Sequence, residues 1–179
     1  MKNRKKTILI TGAGQGIGQS IAYRYLKESE NPHIINIAPP LGMEEQWLRD
    51  YLPFSLGKYG MSLCTRGMAA EFYSVGIAVN SLWPKTNIAT QRLKDHLLPQ
   101  VYSGSRFPSI MADAAYALSL RTFREASGQF FIDELLLRDI GMTDFSQYAV
   151  DPNHPLVQTL FLPLEEGMIP ISRELFRSK

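Results

Sequence analysis

The segment Thr11-Gly12-Ala13-Gly14-Gln15-Gly16-Ile17-Gly18 stands between a β-branched apolar run, residues 7–11, and a helical pattern from about residue 17 to residue 28. A glycine-rich loop that joins a buried strand to the start of a helix leaves few folds open. Gly12 allows the tight turn, Gly16 a close approach of backbone to a phosphate, and Gly18 close packing of helix on strand. Free amides at the helix N-terminus would then face any anion held there. The plain alternative is a turn that only connects strand to helix.

The rest of the chain continues the alternation. Residues 33–38 (HIINIA) read as a second buried strand, ended by Pro39 and Pro40. Residues 51–72 read as a long helix, with Pro53 tolerable only in its first turn. Residues 76–83 read as a third strand, closed by Pro84. The stretch 85–108 is loop and short helix, 110–120 a helix and 128–133 a fourth strand. After Gly141, Pro152, Pro155, Pro163 and Pro170 exclude long regular elements. Strands alternating with helices predict an α/β fold: a parallel sheet of about four strands with helices on both faces. Residues 1–145 are expected to form that domain, with 146–179 a C-terminal extension packed on it.

Composition narrows the function. A net charge of +2 gives no basis for a nucleic-acid partner. The single cysteine, Cys64, excludes an internal disulfide and a cysteine zinc site, and it fits a reducing compartment. His33, His96 and His154 show no ligand spacing, so no metal is expected. No apolar run reaches the roughly 18 residues that span a bilayer. The basic residues Lys2, Arg4, Lys5 and Lys6 lead straight into the first strand with no signal-peptide core. A cytoplasmic protein without a membrane partner is the expectation.

The spacing of residues 11–18 resembles the fingerprint of the short-chain dehydrogenase/reductase family, and the resemblance continues along the chain. Residues 33–40 (HIINIAPP) look like the strand that carries the family's catalytic serine. Lys58-Tyr59-Gly60-Met61-Ser62 looks like the catalytic helix from its lysine onward. Residues 79–86 (VNSLWPKT) look like the cofactor-contacting strand end, and Phe131-Ile132-Asp133-Glu134 like the last strand. The resemblance, over about residues 7–156, implies a Rossmann-like sheet, NAD or NADP as cofactor, and oxidation or reduction of a carbonyl or alcohol substrate. It implies nucleotide contacts from Thr11, Gly12, Gln15, Gly16, Ile17, Gly18, Lys58, Pro84, Thr86 and Ile88. Gln15 stands where many NADP-preferring members carry Arg or Lys. The 51–72 helix packs subunits together in the family, which implies a homo-oligomer or pairing with a complete relative.

The sequence also departs from that pattern. Three further strands with their helices, about a hundred residues at roughly 30 per unit, are expected between glycine loop and serine strand. Residues 19–32 leave room for one helix, so a truncated sheet is expected. A helix that joins the two strands must take one face, because about 98% of parallel crossovers are right-handed. The family pairs Tyr and Lys one helical turn apart, and the lysine lowers the tyrosine pKa. Here Lys58 is preceded at that spacing by Phe54, which has no proton to transfer, and Ala38 stands at the serine position. Lys58 is then vestigial. Tyr51 and Ser55 are the nearby substitutes, but a shift of one turn moves a side chain by several ångströms. The readings left open are an oxidoreductase, a non-catalytic pseudoenzyme serving as an oligomerisation or binding module, and a truncated product without function.

Overall fold

The computed structural model describes residues 29–176. The expected first strand, the glycine loop with Thr11, Gly12, Gln15, Gly16, Ile17 and Gly18, and the helix after it lie outside the described residues.

Three parallel strands form the main sheet in chain order: β1 (His33–Asn36), β2 (Ala78–Trp83) and β3 (Phe130–Ile132). Ile34 pairs with Val79, Ile35 with Asn80 and Leu82 with Phe131. Every residue of β2 is buried, polar Asn80 and Ser81 included, as in a central parallel strand covered on both faces. Its side chains alternate. Val79 packs with Ile34 against Met68, Ala69 and Phe72 of α1 (Glu45–Phe72). Leu82 packs on the other face among Ile110, Ala114 and Leu118 of α4 (Ser109–Ser119) and Leu136 and Leu137 of α5 (Asp133–Asp139). The result is the expected two-faced, Rossmann-like α/β layer with three described strands.

Helix α1 begins at Glu45, earlier than expected, but the chain is non-helical at Tyr51 (φ −135°, ψ 27°). Pro53 explains the break. It has no N–H to donate to the carbonyl four residues back, and its ring crowds that carbonyl. The long segment therefore restarts with Pro53 in its first turn, and Ser55 Oγ bridges the joint by donating to the carbonyls of Trp47 (2.7 Å) and Tyr51 (3.1 Å). The residues that α1 buries are Ser55, Ser62, Thr65 and Ala69. Small side chains let the helix lie close on the sheet, and their hydroxyls are satisfied: Ser62 donates to Pro39 O at 2.7 Å, and Thr65 accepts from Asn36 at 3.0 Å.

Two short helices, α2 (Gln91–His96) and α3 (Pro99–Ser103), fill the stretch after β2. The C-terminal segment contains two-residue strands β4 (Val157–Gln158) and β5 (Ile169–Pro170), paired in parallel. It lies against the sheet-bearing part through the pairs Thr86–Gln158 and Arg106–Ala149, and the Tyr148 hydroxyl donates to Asp113 at 2.7 Å. At Gly104 an added Cβ would come within 2.6 Å of the Pro155 carbonyl and the Val157 side chain. Glycine permits that approach, and Val157 N donates to Gly104 O at 2.7 Å.

Candidate active site

The C-terminal ends of parallel strands, where α/β folds place their sites, bring together the end of β1, the exit of β2 and the first turns of α1 after its break. Lys58 Nζ donates to the Ile37 carbonyl at 2.9 Å and lies 5.2 Å from the centre of the Trp83 ring. Partial burial holds its pKa below the ordinary lysine value. Ala38, at the end of β1, is completely buried. Phe54 lies one turn before Lys58. Its ring is 45% exposed and stacks on Phe161 at 5.7 Å with a 16° interplanar angle. No oxygen stands at position 54 or 38 to take or give a proton. Tyr51, at the helix break, is half-buried.

Phe161 is the centre of this region. It comes from the C-terminal segment and is 6% exposed. Around its ring stand Tyr59 at 5.0 Å, Phe54 at 5.7 Å, and Trp47 and Trp83 at 5.9 Å each. The Tyr59 hydroxyl is buried without a hydrogen-bond partner among the described residues, and its pKa is pushed up by burial. The sequence reading missed Phe161 because residues 141–179 carry no periodicity.

Beyond Trp83 the chain turns into a buried ionic cluster. Glu134, with its side chain 3% exposed, lies 3.0 Å from Lys85 Nζ and 2.6 Å from Arg106 Nη1. Arg106 is close enough for a strong charge interaction, although its N–H is not aligned as a hydrogen bond. Arg138 reaches Glu134 at 2.9 Å, and Lys85 also contacts Glu165 at 2.7 Å. Burial would raise the Glu134 carboxyl, but the hydrogen bond from Lys85 and the charge of Arg106 outweigh it and hold the pKa at about 2. Asp133 is the reverse case. Burial raises it to about 6, although its Oδ1 accepts from the backbone N–H of Lys85 (2.8 Å) and Glu134 (2.7 Å).

The signs of these two shifts give a pH profile. Asp133 binds its proton more tightly folded than unfolded, so its penalty is full above about pH 6 and relieved as pH falls toward 3.8. Glu134 contributes stability above 4.5 that is lost as pH falls toward about 2. Stability, as these two groups set it, should therefore peak between about 3.8 and 4.5, where relief at Asp133 is nearly complete and loss at Glu134 begins. Asp133→Asn should abolish the rise in melting temperature between about pH 7 and pH 5. Thermal melts of both proteins across that range check this, and an unchanged rise in the variant would contradict it.

Of the residues expected to contact a nucleotide, four are described. Pro84 is buried, Thr86 is 0% exposed with its hydroxyl unpartnered among the described residues, and Ile88 pairs with Arg106. Lys58 keeps a donor proton beyond those directed at Ile37 O and Met61 Sδ, whereas the unused Thr86 hydroxyl is closed off from solvent. As placed, Pro84 and Thr86 do not offer a surface to a nicotinamide. Among the described residues no group of three or more His, Cys, Asp or Glu side chains could hold a metal ion. No described helix is long and apolar enough to cross a membrane.

This geometry can be set beside known proteins. The chain is 42% identical over 161 residues to hydroxysteroid dehydrogenase-like protein 2 of Danio rerio, a match covering 88% of this chain and 38% of that protein. The Homo sapiens protein of the same name is 42% identical over 138 residues, 77% of this chain and 32% of its own length. Among solved structures, a candidate dehydrogenase from Xanthomonas campestris superposes with a TM-score of 0.75 at 42% identity, over 82% of this chain and 54% of that one. The chain belongs to the short-chain dehydrogenase/reductase family. A short-chain dehydrogenase from Mycobacterium thermoresistibile agrees, with a TM-score of 0.72 at 34% identity. No protein-family model matches the chain. The chain thus spans about two fifths of the curated relative's length and about half of the solved one's.

Proposed function

We propose that this chain is a catalytically silent dehydrogenase-like protein, by descent an NAD(P)-dependent oxidoreductase of carbonyl or alcohol substrates. The observation that carries the reading is the Phe54–Lys58 turn. The side chain at the acid/base position is an aromatic ring without a hydroxyl, stacked on Phe161, and the lysine ammonium is turned to the Ile37 carbonyl. The short stretch between Gly18 and His33 supports a deletion of central strands, which leaves no sheet for the adenosine half of a dinucleotide. Residues 1–145 then form a truncated nucleotide-fold domain and 146–179 an extension on it, in a cytoplasmic setting. Tyr51 is a poor substitute because it sits at the break in α1 rather than on the turn before Lys58.

Restoring the hydroxyl should not restore the reaction. Phe54→Tyr is expected to consume neither NADH nor NADPH with aldehydes or ketones, because acid/base transfer needs a substrate and cofactor held within hydrogen-bond reach. Spectrophotometric turnover by the natural chain or the variant would defeat the proposal. A parallel titration, following the fluorescence of Trp47 and Trp83, is expected to show no saturable nucleotide binding.

A second reading has its own support: α1 serves as an oligomerisation surface, with a second copy of the chain or a complete relative. Leu52, Leu56 and Leu63 are 47%, 65% and 61% exposed, and at helical spacing they share one side with Gly60, Gly67 and exposed Cys64. That side carries no charged residue between Leu52 and Ala70. If two copies pack there, a short bis-maleimide should link Cys64 to Cys64 as a dimer on a denaturing gel. Leu56→Arg with Leu63→Arg should abolish the link, and a natural chain that stays monomeric in light scattering would exclude a homo-oligomer.

A further inference from the structure

We infer that the aromatic box formed by Trp47, Phe54, Tyr59 and Trp83 is a binding site for a planar aromatic ring, closed by the chain's own Phe161 on a C-terminal strap. The inference goes beyond the silence proposed for position 54 and does not depend on it. The walls come from rigid elements: three from α1 and one from the end of β2. The occupant comes from a segment without regular structure, residues 159–168. One stacked and three tilted or edge-on rings surround Phe161 at 5.0–5.9 Å, distances at which aromatic pairs attract beyond their buried area.

The strap is built to hold this one ring in place. Gln158, 3% exposed, donates through Nε2 to the carbonyls of Leu162 (3.1 Å) and Pro163 (2.6 Å) and accepts from Glu165 N (2.9 Å). Trp83 Nε1 donates to Leu160 O at 2.9 Å, and Lys85 pairs with Glu165 at 2.7 Å. Phe161 itself has φ +70° and is the non-glycine residue with positive φ among those described. A bulky side chain in the left-handed region is an outlier that surrounding structure must enforce. The backbone is thus bent against its preference so that a ring enters a box walled by α1 and the end of β2, while residues 163–167 stay exposed. A walled site, a ring-shaped occupant and a strained tether are the parts of a self-inserted plug. A partner or ligand that presents an aryl group would displace it.

The test removes the plug and offers a small aromatic in its place. Phe161→Gly deletes the ring and relieves the left-handed strain. 4-Fluorobenzyl alcohol, followed by 19F line broadening, should bind this variant saturably and about ten-fold or more tighter than it binds the natural chain. Phe161→Leu keeps the site partly filled and protects the fold; there the same probe should bind more weakly than to Phe161→Gly but above the natural chain. Equal binding to all three proteins, or binding to neither variant, would overturn the inference. NADH offered to the variant together with 4-fluorobenzaldehyde, the carbonyl counterpart of the probe, separates the two proposals. Binding without NADH oxidation leaves both standing, and oxidation with the corresponding aldehyde would sink catalytic silence alone.

Discussion

Glu134→Gln is expected to destabilise the folded chain by about 3–5 kcal/mol, because it leaves Lys85 and Arg106 buried without their shared anion. The substitution keeps the side-chain shape, so packing changes little and the loss is electrostatic. Lys85 and Arg106 are only 10% and 5% exposed at the side chain. Water therefore cannot replace the carboxylate, and a Gln amide can satisfy one hydrogen bond but neither charge. For a chain of this size each kcal/mol moves the melting temperature by about 2–4 °C, so a drop on the order of 10 °C should be seen by calorimetry. Glu165→Gln is the internal control. Glu165 touches the same Lys85 but is 52% exposed, and such pairs contribute within about 1 kcal/mol. Equal losses from the two variants would show that the cluster is not organised around Glu134.

The second large effect is expected at Phe161. Truncation to Ala should cost about 3–5 kcal/mol, the usual range for a buried phenylalanine, because four aromatic side chains lose their common partner. The distinctive result concerns glycine. At ordinary positions glycine is worse than alanine, but at φ +70° the Cβ is itself a liability of about 1–2 kcal/mol. Phe161→Gly should therefore melt above Phe161→Ala. The opposite order would show that the left-handed backbone stores no strain.

The sheet was legible in the sequence because its signals are local. Apolar runs at 33–36 and 78–83 end at prolines, and Pro53 marked the restart of α1. The helix Asp133–Asp139 was not legible, since it follows β3 without an intervening loop, and residues 131–134 resembled a strand alone. The ionic cluster was missed for another reason. Lys85, Arg106 and Glu134 are far apart in the chain, and isolated charges read as surface residues until folding brings them together. The aromatic box failed in the same way: Trp47, Phe54, Tyr59 and Trp83 could be named individually, but the ring that unites them lies in a stretch that reads as tail. The missing hydroxyls at Phe54 and Ala38 needed no coordinates, because a residue type alone decides whether a proton can be given.

The close seating of α1 inverts the usual map of tolerance to change. Ser62 and Thr65 are fully buried while Leu56 and Leu63 are open, so a hydropathy scale ranks the two sides of this helix in the wrong order. For a single chain, polar replacements at the leucines are cheap, whereas a leucine in place of Ser62 would lever the helix off the sheet. Variation among relatives of this chain should follow that pattern, with side-chain size held fixed on the hydroxyl side and chemistry free to drift on the greasy one.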